Sequence, residues 1–252
     1  MDRSVGIVVP AYDPDVDRLV AYLGALREEL DPDILRVELD VPDEETLAAL
    51  EGTAATVNAV QRRRGKGGAV TDGFDALETA VLAFADADGS TPATSMADVL
   101  DPVVTGRAAV AVGSRRHPEA TVRSHQTVLR QHLGDVFAWL ARRFLSVRLS
   151  DYQCGAKAID GEAWTSLRDH VTETGFAWDV EVLGIASGLG LAIEEVPVEW
   201  EDHPDSTVST VEAVPELLGA LVSVRRRSRR LDKTGHTPEE DRPGQGFGGR
   251  DR

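Results

Sequence analysis

Val81–Thr91 reads VLAFADADGST: a run of small and apolar residues that stops abruptly at Asp86-Ala87-Asp88. Alternate residues of a strand share a face, so an Asp-x-Asp leaving a buried strand can aim both carboxylates one way. Hard divalent cations favour oxygen ligands of this kind, and Mg²⁺ is commonly completed by substrate phosphates. A solvated turn accounts for the same residues, because Asp and Gly are ordinary loop formers. The motif therefore takes its meaning from its surroundings.

Upstream, Gly6–Pro10 reads as a buried strand, Val16–Leu30 as an amphipathic helix, Ile34–Leu39 as a strand and Asp43–Leu50 as a short helix. Ala54–Val60 is a third strand, and Gly68–Ala80 a helix entered through Gly65-Lys66-Gly67-Gly68. Downstream, Thr91–Val104 is helical, with Thr91 as its cap before Pro92, and Ala108–Gly113 is a strand. Strands alternating with helices predict an α/β fold, a mostly parallel central sheet flanked by helices. Ligands of such sheets bind beyond the carboxyl ends of the strands, where the two aspartates fall.

The second half is less regular. Ser124–Leu145 is a long helix with Leu129, Leu133, Phe137, Leu140 and Phe144 on one stripe. A polar stretch at Ser150–Lys157 precedes helices near Gly161–His170 and Phe176–Gly188, and Leu191–Val198 is a further strand. Residues 1–210 form the main domain. Residues 211–231 form an amphipathic helix with a basic end, Arg225-Arg226-Arg227-Ser228-Arg229-Arg230, and 232–252 a disordered tail rich in Gly, Pro and charge.

Among 252 residues, 43 are acidic and 27 basic, for a net charge of −16, and lysine is almost absent. Such a surface repels nucleic acid backbones. It also suggests a halophilic source, where salt screens the self-repulsion. The single Cys154 excludes an internal disulfide and a cysteine-rich zinc site. With no leader sequence and no membrane-length apolar run, the expectation is a soluble cytoplasmic protein.

Further chemistry-bearing segments follow in order: Val9-Pro10-Ala11-Tyr12, Gly65-Lys66-Gly67-Gly68-Ala69-Val70, Gly113-Ser114-Arg115, Arg123-Ser124, Arg130, Ser150-Asp151-Tyr152-Gln153-Cys154-Gly155-Ala156-Lys157 and Phe176-Ala177-Trp178-Asp179-Val180-Glu181. With ADADGST and the later EEVPVEW, they resemble a family 2 glycosyltransferase of the GT-A (nucleotide-diphospho-sugar transferase) fold. The similarity covers roughly residues 5–210 and is nearest to dolichyl-phosphate glucosyltransferases, then dolichyl-phosphate mannose synthases. With the acidic surface, the chain reads as haloarchaeal.

The resemblance implies an inverting hexosyltransferase acting in protein N-glycosylation at the cytoplasmic membrane face. Its donor would be a nucleotide sugar, UDP-glucose ahead of GDP-mannose, and its acceptor dolichyl phosphate. Mg²⁺ or Mn²⁺ would be held by Asp86 and Asp88, with Asp88 the direct ligand and Asp86 nearer the ribose. Tyr12 and Asp13, after Pro10, would flank base and ribose. Lys66 and Gly67 would approach the diphosphate. Arg115 and Arg130 would contact the acceptor phosphate, with Arg123 a third candidate, since guanidinium stays charged and meets phosphate bidentately. Asp151 would lie beside the acceptor as base or orienter, with Gln153 and Lys157 candidates for the same pocket. Asp179 and Glu181, two apart on a helix, diverge by about half a turn, so Asp179 alone is expected to face the site.

Two departures stand out. Relatives end the second strand in Asp-Asp-Gly-Ser, where this chain has Glu38-Leu39-Asp40-Val41-Pro42-Asp43; Asp40 is the candidate for the nucleotide-facing carboxylate. An arginine common after the glycine-rich segment is Thr71 here. Two alternatives stay open: transfer to a non-lipid hydroxyl, which the resemblance to family 2 as a whole also implies, and, given these departures, a degenerate paralogue that binds a partner without catalysis. The helix at 211–231, with Val214, Leu217, Leu218, Leu221 and Val222 beside the arginines, is a candidate for peripheral membrane contact, and core packing is the alternative.

Overall fold

The computed structural model describes residues 3–123, 137–201 and 210–235. Strand β1 (Val5–Tyr12) leads through α1 (Val16–Leu30) to β2 (Ile34–Asp40), then α2 (Glu44–Glu51), β3 (Thr56–Val60), α3 (Lys66–Asp75) and β4 (Val81–Ala85). There follow α4 (Ala93–Val104), β5 (Val110–Ser114), the short β6 (Thr121–Arg123) and a helical segment, α5, at 137–144. The chain continues with β7 (Ala156–Asp160), α6 (Gly161–Arg168), α7 (Trp178–Gly188), β8 (Ile193–Pro197), β9 (Glu199–Glu201) and α8 (Thr210–Gly235).

Seven strands form one sheet in the order β3-β2-β1-β4-β7-β5-β8. Every neighbouring pair is parallel except those of β7, which runs antiparallel to both β4 and β5. β6 and β9 pair in parallel as a separate ribbon. Side-chain alternation sends Ile7 and Val9 to one face and Val8 to the other. The first face packs Leu19, Leu23 and Leu26 of α1 and Met96, Val99 and Val103 of α4. The second packs α3, α6, α7 and α8 around an aromatic cluster. Phe74 meets Trp164 edge-on at 5.1 Å and Phe84 meets Trp178 at 5.5 Å, geometries worth about 0.5–1.5 kcal/mol each beyond burial. β4 and β5 are buried at all five positions, as coverage on both faces requires.

Local capping sets the helix starts. Asp15 accepts the Arg18 N–H at 3.0 Å, Asp43 that of Thr46 at 2.8 Å, and Asp160 those of Glu162 and Ala163. Four expectations are corrected. α3 begins at Lys66 and ends at Asp75, where Ala76 and Leu77 N–H groups turn back to Gly73 and Phe74 carbonyls and tighten the chain out of the helix. Thr91 does not cap α4: Pro92 holds that position without a side-chain bond, and the Thr91 carbonyl accepts the Tyr22 hydroxyl at 2.8 Å. The stretch read only as polar through Lys157 becomes strand β7 from Ala156 onward. Helix α8 runs on to Gly235, past the expected start of the tail. Of the long helix expected from Ser124, the described part is 137–144; Arg130, Leu129 and Leu133 lie outside the described residues, as do 236–252 of the expected tail.

α8 packs on α7 through Leu217, Ala220, Leu221, Val224 and Ser228, all buried. Gly184 and Gly188 permit this approach, since a Cβ at either would meet Val224 or Ser228 within 2.7 Å. The expected apolar side of the helix is thus divided: Leu217 and Leu221 enter the core, while Leu218 and Val222 remain 40% exposed. Among the described residues, no helix is long and apolar enough to cross a membrane.

Candidate active site

A cleft of about 470 Å³ opens at the carboxyl ends of β1, β2 and β4. Pro10, Tyr12, Asp13, Asp40, Lys66, Asp86 and Asp88 all line it, together with Arg63 and Phe176. β4 ends at Ala85, so Asp86 and Asp88 are placed by the turn that follows the strand rather than by its side-chain alternation, and both line the cleft. That turn is fixed locally: Asp88 accepts the Ser90 N–H at 2.9 Å, and Gly89 takes φ +67°, a left-handed angle that glycine adopts without strain. Asp13, at φ 46°, turns the chain at the end of β1. The Arg63 guanidinium lies 4.0 Å from the Tyr12 ring centroid at the cleft mouth.

Lys66 begins α3 and carries its ammonium into the cleft, 2.9 Å from Asp86 Oδ1 and 3.2 Å from Asp179 Oδ2. Burial lowers its proton affinity, but Asp179 and Asp86 outweigh that, so it is held protonated well above the usual lysine range. Asp86 is pushed up from the ordinary carboxylate range by burial and by the like charges of Asp88 and Asp179, with Lys66 opposing. Its other oxygen rests against the backbone of residue 155: a Cβ there would sit 1.8 Å from Asp86 Oδ2, so only glycine fits beside that carboxylate.

The donor set fits a hard divalent ion. Two carboxylates at the cleft surface offer oxygen alone, and Mg²⁺ or Mn²⁺ sites of this kind leave positions for phosphate oxygens and water. Among the described residues no cluster of three or more His, Cys, Asp or Glu forms a complete protein cage. Asp86 and Asp88 would hold such an ion only together with a ligand.

Beside the cleft, Arg115 leaves the end of β5 and grips Asp151 bidentately, Nε to Oδ2 at 2.6 Å and Nη2 to Oδ1 at 3.0 Å. Asp151 also accepts the Gln153 N–H, and Glu195 accepts the Ser150 and Asp151 N–H groups at 2.7 and 2.9 Å. Burial raises the Asp151 carboxyl, but Arg115 more than reverses this and holds it well below the usual range. A carboxylate so engaged is a weak base, and its geometry is that of an orienter for Arg115. The alternative role of general base is not supported by the pairing. Four residues on, Gly155 touches Asp86, so the 151–155 segment joins the arginine to the cleft. Cys154, between them, is fully buried with its thiol pushed up to about 11 by burial, an inert packing residue.

The remaining candidates divide. Asp179 is buried and meets the site through Lys66, while Glu181 turns away to accept the Thr172 and Glu173 N–H groups and to pair with Arg227. Gly67 has a packing role, since a Cβ there would meet Trp178 at 2.5 Å, and it is not among the residues that line the cleft. The φ +82° of Gly65, where a Cβ would meet the Thr174 carbonyl at 2.5 Å, does the work expected of the glycine-rich turn. Thr71 accepts the Trp178 Nε1–H at 2.9 Å. Lys157 is neither solvated nor at the cleft surface; it is fully buried, 2.6 Å from Asp179 Oδ1. Arg123 lies on the β6–β9 ribbon and is exposed.

Arg64 emerged only from the structure. It donates to Asp40 through its backbone N–H (2.6 Å) and Nε (2.7 Å), and to Glu38 through Nη1 (2.5 Å). Asn58 and Arg36 also bond Glu38, and the Gly65 N–H bonds Asp40. The two acids that replace the usual turn therefore brace the Gly65 turn from β2. Their sequence signal was the triplet Arg62-Arg63-Arg64 in an acidic chain.

Residues 7–159 match the model of glycosyl transferase family 2. The chain is 31% identical over 221 residues to glycosyltransferase AglD of Haloferax volcanii, covering 82% of this chain and 35% of AglD. It is 29% identical over 177 residues to dolichyl-phosphate beta-glucosyltransferase of Saccharomyces cerevisiae, covering 65% of this chain and 52% of the yeast protein. With the human enzyme of that name it shares 27% over 223 residues, 79% of this chain and 68% of that one. The chain thus spans about a third of AglD and half of the yeast relative. Its fold superposes on glucosyl-3-phosphoglycerate synthase of Mycobacterium tuberculosis, solved with Mn²⁺, UDP and phosphoglyceric acid, with a TM-score of 0.71 at 18% identity, covering 88% of this chain and 78% of that one. On the match over most of its sheet, carried by a GT-A architecture, the chain belongs to glycosyl transferase family 2.

Proposed function

We propose that the protein transfers a hexose, glucose ahead of mannose, from a nucleotide sugar to dolichyl phosphate in protein N-glycosylation, with inversion and with Mg²⁺ or Mn²⁺. The observation that carries this reading is one rim holding both halves of the chemistry: Asp86, Asp88 and Lys66 in the cleft, and Arg115 oriented by Asp151 beside it. The names of the relatives support the lipid acceptor, and the Mn²⁺ and UDP of the mycobacterial structure support the donor and metal.

When bound, a divalent ion neutralises the departing diphosphate. The chain's own residues do the rest. Lys66 faces the charge that develops on the leaving group, and Tyr12 and Asp13 border the space for base and ribose. Arg115, fixed by Asp151, holds an acceptor phosphate that is already ionised near neutral pH, so no strong base is required. Purified protein given radiolabelled UDP-glucose, GDP-mannose and dolichyl phosphate with Mn²⁺ should move label into organic solvent from UDP-glucose foremost. Label that stays aqueous with every donor rejects the lipid acceptor.

The reading includes peripheral contact with the cytoplasmic face of a membrane. Residues 137–149 and 217–231 contain three and five arginines and no acidic residue, in a chain of net charge −16. They also carry Trp139, 61% exposed, with Leu218 and Val222. Arg225 ties the two segments by bonding the Arg143 carbonyl and facing the Phe144 ring. Basic residues near anionic lipid contribute about 1 kcal/mol each. Replacing Leu218 and Val222 with Glu should abolish flotation with anionic vesicles while the fold survives; unchanged flotation rejects the contact.

A further inference from the structure

Below the cleft floor, charges alternate in a line. Lys157 Nζ lies 2.6 Å from Asp179 Oδ1, and Asp179 Oδ2 lies 3.2 Å from Lys66 Nζ. Lys66 Nζ is in turn 2.9 Å from Asp86 Oδ1. The Lys157 ammonium also donates to the Cys154 carbonyl at 2.8 Å, and both ammonium groups face the Phe84 ring, at 5.0 and 5.5 Å. Lys157 and Asp179 are 0% and 2% exposed, so neither touches a ligand in the cleft. A buried lysine is costly, and the fold has no need of one here. β7 is held by its backbone ladder, and its neighbours Ala156, Ala158 and Ile159 are apolar.

We propose that Lys157 is a positioning residue for the donor's diphosphate, which keeps the Lys66 ammonium at the cleft surface by sharing Asp179 with it. The inference rests on the nucleotide-sugar reading of the cleft. Asp179 holds one cation with each oxygen. Were Lys157 uncharged, Asp179 would face Lys66 alone in a poorly solvated pocket, where opposite charges attract strongly. Lys66 would be drawn toward α7 and away from Asp86. The net charge of the group formed by Lys66, Lys157, Asp86, Asp88 and Asp179 would also become more negative, which disfavours an incoming diphosphate. Removing both Lys157 and Asp179 charges leaves Lys66 held by Asp86 only, looser but still at the surface.

The test is calorimetric titration of UDP with Mn²⁺ into wild type, Lys157→Met, Lys157→Met/Asp179→Asn, Lys66→Met and the triple variant, with near-ultraviolet circular dichroism monitoring the fold. Lys157→Met should weaken UDP binding about 10-fold, and adding Asp179→Asn should recover about 3-fold of that. In the Lys66→Met background the paired change should alter UDP affinity by less than about 2-fold, because its effect runs through Lys66. A merely structural lysine would give the same loss with or without Lys66, and that result overturns the inference, as does wild-type affinity in Lys157→Met. Should the single variant fail to fold, the charge-balanced pair, compared with and without Lys66, decides between the two roles. Wild type that binds no UDP removes the nucleotide-sugar reading and the inference together, whereas normal wild-type binding with unmoved variants removes the inference alone.

Discussion

The cleft over β1, β2 and β4 and the corner beside it treat charge differently. In the cleft, Asp86 keeps 38% of its side chain exposed and shares the Lys66 ammonium with Asp179. In the corner, Asp151 is 3% exposed and gives both oxygens to Arg115. The first arrangement leaves negative charge in search of a cation. The second has spent its negative charge on aiming a guanidinium. On the proposed reading, a donor whose diphosphate leaves and an acceptor whose phosphate arrives would use these two treatments side by side.

The largest effect should come from the cleft. Asp88→Asn is expected to lower metal-dependent transfer about 10³-fold, roughly 4 kcal/mol, measured as labelled lipid product. A variant with near wild-type rate would mean the cleft carboxylates are no more essential than ordinary turn residues, and the contrast with the corner would collapse. Next comes Arg115→Met, which strands a buried carboxylate. The expected loss is about 3 kcal/mol at pH 7, at the low end because Arg115 is 25% exposed. The sign with pH sharpens the contrast. In wild type the depressed Asp151 carboxyl adds stability above its unfolded value of about 3.9, and that stability is lost as pH falls below it. Without the Arg115 guanidinium, burial, the largest influence, is opposed by the Gln153 N–H and the charge of Arg116, so the variant is relieved by protonation and the gap between the proteins narrows toward pH 4. Denaturant midpoints across pH 4–7 measure this; a constant gap refutes the pairing. The smallest effect is expected for Gly155→Ala, about 2 kcal/mol, as Asp86 is forced from residue 155. It should weaken Mn²⁺ binding in the UDP complex and leave the Arg115 corner intact, which separates the two regions directly.

What the sequence disclosed followed the physics of period and composition. α1 has the bounds expected of it and β4 stops where its apolar run was expected to, because an amphipathic stripe capped by Asp15 and an apolar run ended by two aspartates leave little freedom. Asp86 and Asp88 were legible because they stop an apolar run, while Tyr12, Asp13 and Lys66 came from the resemblance; all five line the cleft. β7 was hidden, because a lysine within a polar stretch points to a pocket or to solvent, not to a buried strand, until its partner Asp179, 22 positions away, is brought to Lys157. The bracing of Asp40 by Arg64 was hidden for the same reason: it joins β2 to a turn 24 residues on. The packing role of Gly67 was hidden, since a glycine required by a tryptophan and one required by a phosphate look alike in one dimension.

The reversed direction of β7 has a further consequence. A strand running against its neighbours presents its beginning where they present their finish, so Ala156 lies opposite Ala85 and the chain before it meets the chain after β4 with no helix between. The Asp86 N–H bonds the Gly155 carbonyl at 2.9 Å across that seam. The loop that carries Asp86 and the segment that carries Asp151 are therefore joined by main chain, a tie that side-chain changes on either side leave in place.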